Sequence, residues 1–285
     1  MELFHLFVAA HDRQGLGVVD WLLLAHAKME GIMRNTKLLV TLSAAVWLGL
    51  VTQDVWAQAN NIARLYVVTP KSGMAAKFET ALGQHAEWRR EHGDPWTWIV
   101  HQVTSGANLG DYVIRSGDHS WSDFDAYDAG FGPEGSVHFN ATVDPLIESV
   151  SSFITERDTT NFRWPDDPNS VNLLQVLRYH LKPGQRETFF QALNKYHQAI
   201  VQTNYPIHYA FQNLVNGGPG PAVAGVFPYE NWAAFQGPEQ TLAQLMVEVY
   251  GQEEATAILE QFRSTYTGTE SWVIRVRWDL SVIPE

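Results

Sequence analysis

Lys71-Ser72-Gly73-Met74-Ala75-Ala76-Lys77-Phe78-Glu79-Thr80-Ala81-Leu82 returns 111 residues later as Lys182-Pro183-Gly184-Gln185-Arg186-Glu187-Thr188-Phe189-Phe190-Gln191-Ala192-Leu193. The same shift, without a gap, pairs Pro95 with Pro206, Gly106 with Gly217, Trp121 with Trp232 and Phe124 with Phe235. Nine identities between Lys71 and Phe124 make a thin count, so their kinds decide. Gly and Pro are kept where the backbone demands them, and Trp and Phe where a core does. The chain reads as one unit duplicated.

Working outward, each copy carries the same order. Residues 62–68 and 173–180 are apolar and β-prone and form a first strand. Gly73 and Pro183-Gly184 end it and open a helix. That helix carries Phe78, Ala81, Leu82, His85 and Trp88 in one copy, and Phe189, Leu193, Tyr196 and Ile200 in the other, at helical spacing. Strands follow at 96–104 and 207–215, then, past Gly106 and Gly217-Gly218, at 111–115 and 222–227. Ser120 and Asn231 are N-cap types ahead of a second helical region, which continues over Glu239–Tyr250 in copy two but is Gly-rich in copy one. Last strands are expected near 159–164 and over 271–278. The order is βαββαβ twice, an α+β fold of two ferredoxin-like units over 60–164 and 171–285, with the Pro-rich linker 165–170 between them.

A duplicated βαββαβ unit of this size resembles the dimeric α+β barrel superfamily in its tandem form, two ferredoxin-like units packed as an intrachain dimer. Ser120-Trp121-Ser122-Asp123-Phe124 and Asn231-Trp232-Ala233-Ala234-Phe235 are similar to the post-strand segment of antibiotic-biosynthesis-type monooxygenases and their relatives. The resemblance implies a small-molecule ligand, with cofactor-free monooxygenases, haem peroxidase and chlorite-dismutase relatives, and non-catalytic binding or stress proteins all within reach.

Met33-Arg34-Asn35-Thr36-Lys37, the apolar run Leu38–Val51 and Ala57-Gln58-Ala59 have the form of a signal peptide cleaved after Ala59. Its apolar run is too short to span a bilayer, which takes about 20 residues. Residues 1–32 then read as an over-extended start, and the protein as periplasmic or secreted, with no stable membrane anchor.

The 285 residues carry 31 acids against 19 bases, a net charge of -12, which speaks against phosphate-backbone partners such as nucleic acid. Cys is absent, which removes disulfides, thiolate metal sites and a Cys nucleophile. No phosphate-cradling Gly-x-x-x-x-Gly-Lys, dinucleotide Gly-x-Gly-x-x-Gly, hydrolase Gly-x-Ser-x-Gly or zinc-binding His-Glu-x-x-His occurs. No metal site is expected.

Candidate chemistry comes from strand alternation and helix spacing. Trp98 and Gln102 share a face of the second strand, as do their counterparts Tyr209 and Asn213, while His101 lies on the other face. Aromatics flanking an amide suit a ligand pocket. Arg275 and Arg277 share a face of the last strand, and Arg178 and His180 one of the fifth; converging, they form a basic pocket for a carboxylate or haem propionate. His85 or His101 would accept a proton, and His197 or His180 would ligate haem if haem is bound.

Overall fold

The computed structural model describes residues 60–284, and the leader expected at 33–59 and the start before it lie outside them. The first repeat runs β1 (Ile62–Pro70), α1 (Ala75–Glu91), β2 (Ile99–Ser105), β3 (Tyr112–His119), α2 (Trp121–Ala129), α3 (Gly132–Thr142) and β4 (Ile147–Arg157). The second runs β5 (Leu173–Leu181), α4 (Arg186–Thr203), β6 (Ala210–Asn216), β7 (Ala222–Tyr229), α5 (Leu242–Ser264, broken at Gly251) and β8 (Tyr266–Val276).

All pairs are antiparallel, and the strands close into a barrel in the order β1-β3-β2-β8-β5-β7-β6-β4. Within each repeat the order is the ferredoxin-like one. The repeats meet edge to edge, β2 on β8 (Gln102 opposite Arg275) and β4 on β6 (Glu156 opposite Asn213), so that no repeat keeps an unpaired edge.

The duplicated glycines end the strands at these two seams. A Cβ on Gly106 would lie 2.6 Å from Trp272 Cβ, and one on Gly217 2.1 Å from the Ser152 carbonyl oxygen; both have positive φ, +115° and +99°. Only glycine fits either requirement.

Alternate residues divide the sheet between two cores. One face turns into the barrel, where Val103, Leu174, Val176, Ile274 and Val276 cluster. The other is covered by helices. Phe78 and Leu82 of α1 pack on Val100 and Tyr112 in the first repeat, and Phe189 and Leu193 of α4 on Phe211 and Val223 in the second. Phe78 and Phe189 are wholly buried, and each contributes about 1.5–3 kcal/mol of hydrophobic transfer.

Two expectations need correcting. The fourth strand lies at Ile147–Arg157, not near 159–164, because its hydrogen bonds to β1 and β6 hold it there although much of it is exposed and polar. The Gly-rich stretch after Phe124 is helical: Gly132 and Gly135 are buried where α3 comes against Tyr127, Phe131 and Arg89.

Candidate functional site

Between the outer sheet face and the helices of the first repeat lies a cavity of about 280 Å3. Tyr66, Trp98, Tyr127 and Phe139 give it aromatic walls, Leu82, Ala86, Val100 and Ile114 an apolar floor, and Arg64, His85 and Arg89 its basic side. This is a small but ordinary ligand pocket in size and in its mix of apolar wall and few polar groups.

A buried network sets its electrostatics. After α1, Gly93 (φ +69°) turns the chain so that the Asp94 side chain points back under the helix, fully buried. Asp94 Oδ1 accepts from the Trp96 amide at 2.9 Å, and Oδ2 from Trp98 Nε1 at 3.1 Å and the Tyr127 hydroxyl at 3.3 Å. Arg89 forms an ion pair with Asp94 and donates to the Tyr127 oxygen at 2.8 Å. Its Nε donates to His85 Nε2 at 2.7 Å. One turn of helix separates the two residues, which stacks their side chains. His85 Nε2 is thus an acceptor, its proton sits on Nδ1, and Nδ1 donates to His138 Nδ1 at 2.7 Å.

Burial, then the Arg89 and His138 charges, push the His85 pKa down to about 3, so the ring is neutral at physiological pH. His138 is lowered by burial, then by His92 and Arg89. Burial raises the Tyr127 phenol. His138 also stacks on Trp88 at 4.3 Å, with His92 against Trp88 at 4.2 Å.

The expected residues scatter. His85 and Trp98 line the cavity. His101 is on the inner barrel face, its Nδ1 3.2 Å from the Val113 carbonyl oxygen, and burial lowers its pKa to about 4. It does not share a site with His85. Gln102 donates to the Tyr112 hydroxyl at 3.0 Å, in a group where Arg277 is ion-paired with Glu79 and Asp279, and Asp279 followed by Glu79 holds its guanidinium charged. Arg275, opposite Gln102, is exposed.

The convergence expected of the basic residues does not occur. Arg178 and His180 share the barrel-facing side of β5 with Leu174 and Val176 and pair with Glu270, Arg178 at 3.6 Å and His180 at 3.0 Å. Arg275 and Arg277 fall on the opposite face, because alternation separates them from Ile274 and Val276. Tyr209 is buried in the second repeat, where its hydroxyl lies 2.8 Å from His197 Nδ1. His197 and His180, the alternative haem ligands, therefore stand on opposite sides of the sheet, and neither lines the first-repeat cavity. Among the described residues no cluster of three or more His, Asp or Glu is placed to hold a metal ion.

The network is not duplicated. At the 111-residue shift His85, Arg89, Asp94 and Trp98 become Tyr196, Ile200, Tyr205 and Tyr209. All four second-repeat residues join an apolar core with Phe189, Phe262 and Met246. Arg89 and Asp94 escaped the sequence reading; the signals were a base one turn after His85 and the Gly-Asp-Pro turn at 93–95.

No protein-family model and no curated protein matches this chain. Solved structures match across most of it. A protein of Fusobacterium nucleatum, provisionally named a monooxygenase, has 10% identity and a TM-score of 0.51, covering 76% of this chain and 93% of that one. Another of Lactobacillus acidophilus, also provisionally named a monooxygenase, has 10% identity and a TM-score of 0.50, covering 78% and 95%. A variant chlorite dismutase from Candidatus Nitrospira defluvii has 7% identity and a TM-score of 0.48, covering 78% and 93%. At these identities the likeness shows the fold alone, the dimeric α+β barrel.

Proposed function

We propose that the first-repeat cavity binds a small hydroxylated aromatic molecule, and that the protein oxidises it with dioxygen in the manner of a cofactor-free monooxygenase. The observation that carries the reading is the pairing of four aromatic walls with Arg64 and Arg89 in one cavity, where Arg64 lies 3.7 Å from Asp128 on the same wall. A flat ring gains from stacking and apolar burial there. A phenolate gains from the guanidiniums, which do more in a site screened from water than at a surface.

The reaction converts a ring C–H of a dihydroxyaromatic to a carbonyl and oxidises the ring to a quinone. One oxygen atom of O2 enters the product and the other leaves as water. The electrons come from the phenolate, which is the form that hands them to dioxygen. His85 does not take the phenol proton while Arg89 occupies Nε2, so the protein's part is to hold the anion, orient it and exclude water. Two proteins sharing the fold are provisionally named monooxygenases, which agrees with this class. Export by the leader at 33–59 belongs to the same proposal and places the activity outside the cytoplasm.

Calorimetric titration of the protein with dihydroxynaphthalene tests the site. Saturable binding that is lost in Ala86→Leu, a substitution on the cavity floor, supports it. Binding indifferent to Ala86→Leu, or no binding across a panel of hydroxylated aromatics, removes it.

A further inference from the structure

Arg115 of β3 points into the barrel. Leu65 of β1 and Ile99 of β2 stand directly opposite it and share its face, and Ile99 packs on the barrel-facing cluster. Its counterpart at the 111-residue shift, Val226, packs on that cluster too. One repeat thus sets a cation where the other sets an apolar side chain. The Arg115 guanidinium has no hydrogen bond or ion pair among the described residues. Asp118 is the carboxylate whose charge reaches it, and that carboxylate is paired with Arg157 instead.

Gly117 makes the room. A Cβ there would lie 2.4 Å from both terminal nitrogens of Arg115, so the guanidinium rests where a side chain at 117 would be. Protein atoms crowd it closely: burial, ahead of the Asp118 and Arg157 charges, lowers its pKa. Yet the recess is open. The buried side-chain atoms without a partner among the described residues are Asn161 Oδ1 and Asn194 Oδ1, so the unpaired Arg115 nitrogens keep surface that a ligand can reach. Arg115, Leu65 and Ile99 are all partly exposed. A charged fork of five donors, half screened from water and with nothing accepting from it, suits a carboxylate taken bidentately. A phosphate dianion would bring a second charge that nothing there balances, since Arg157 is already matched by Asp118. Leu65 and Ile99 offer apolar surface to an alkyl chain. We infer that this recess inside the barrel is a binding site for a short-chain alkyl carboxylate, its head group on Arg115 and its chain along Leu65 and Ile99. It lies on the opposite sheet face from the first-repeat cavity, which the neighbouring Ile114 lines, and does not rest on the oxidation proposed there.

Titrating the whole protein with sodium hexanoate, and separately with sodium phosphate, tests it. Arg115→Met removes an unpaired cation at similar length and is expected to melt no lower than the parent. Gly117→Ala keeps the charge but pushes the guanidinium off its seat, which separates lost binding from lost folding. The expected result is saturable hexanoate binding, one per chain, weakened by at least ~10-fold in Arg115→Met, weakened less in Gly117→Ala and unmoved by Ala86→Leu. No hexanoate binding, unchanged affinity in Arg115→Met, tighter binding of phosphate, or loss of hexanoate binding in Ala86→Leu would each overturn the assignment.

Discussion

His85 Nδ1 lies 2.7 Å from His138 Nδ1, and because Arg89 Nε donates into the far nitrogen of His85, the proton between the two rings belongs to His85. The pair works only while both rings are neutral, since a protonated His138 would present a donor to a donor. This chain of dependence, from His138 through His85 and Arg89 to the buried Asp94, ties α1, α2 and α3 around the cavity.

Arg89 is the member whose loss leaves the largest imbalance. Arg89→Met strands the Asp94 carboxylate in a buried site with only neutral donors, and we expect a cost of about 3–5 kcal/mol in urea unfolding. Arg89→Lys restores the charge but not the forked donors and should recover only part. A loss below about 1 kcal/mol for Arg89→Met would mean that the ion pair is not formed as described.

Acid should destabilise the protein well above the carboxylate range. His85 and His101 have folded pKa values of about 3 and about 4 against an ordinary 6.5, so the unfolded chain binds more protons between those values. Their contribution is complete above pH 6.5 and is lost as pH falls toward 4 and 3. Glu79 is lowered by its hydrogen bond from Arg277, so its stabilisation is lost only below its ordinary 4.5, leaving pH 6.5 to 4.5 to the histidines. Melting temperature should fall across that window, and fall less in His101→Leu. A flat profile there contradicts the buried neutral rings.

Gln102 should behave as a structural residue. Gln102→Leu removes its hydrogen bond to Tyr112 and is expected to cost about 1 kcal/mol while leaving aromatic-ligand affinity unchanged. A tenfold loss of affinity at unchanged stability would return it to the binding site.

The seam glycines give a test of barrel closure. Gly217→Ala meets both a left-handed backbone and the Ser152 carbonyl, whereas Gly73→Ala meets only the backbone term, with nothing within 4 Å of its Cβ. The backbone term is about 1–2 kcal/mol. Gly217→Ala should therefore cost clearly more than Gly73→Ala, and equal costs in thermal unfolding would argue against a β4–β6 seam.

These glycines also explain why the fold was legible. Gly106 and Gly217 survive in both copies because each repeat meets the other there, so the identities that exposed the duplication mark the interface it creates. The fourth strand was not legible, because Val150 and its neighbours are exposed and carry no period-two pattern. Helix α3 was hidden by Gly132 and Gly135, which read as loop yet are needed for close approach. At the site, His85 and Trp98 followed from spacing on one helix and one strand. Their partner Asp94 lies in a turn, where no periodicity reports a side chain's direction. Gln102 and Asn213 share a position but not a role, since the two copies filled their helix–sheet spaces differently.

Oxygen uptake measures directly the oxidation proposed for the first-repeat cavity. With dihydroxynaphthalene and no added cofactor, the protein should consume one O2 per quinone formed, and Ala86→Leu should reduce uptake to the uncatalysed rate. Uptake no faster than that of substrate alone, with binding intact, would contradict the catalytic claim and leave the cavity as a binding site only.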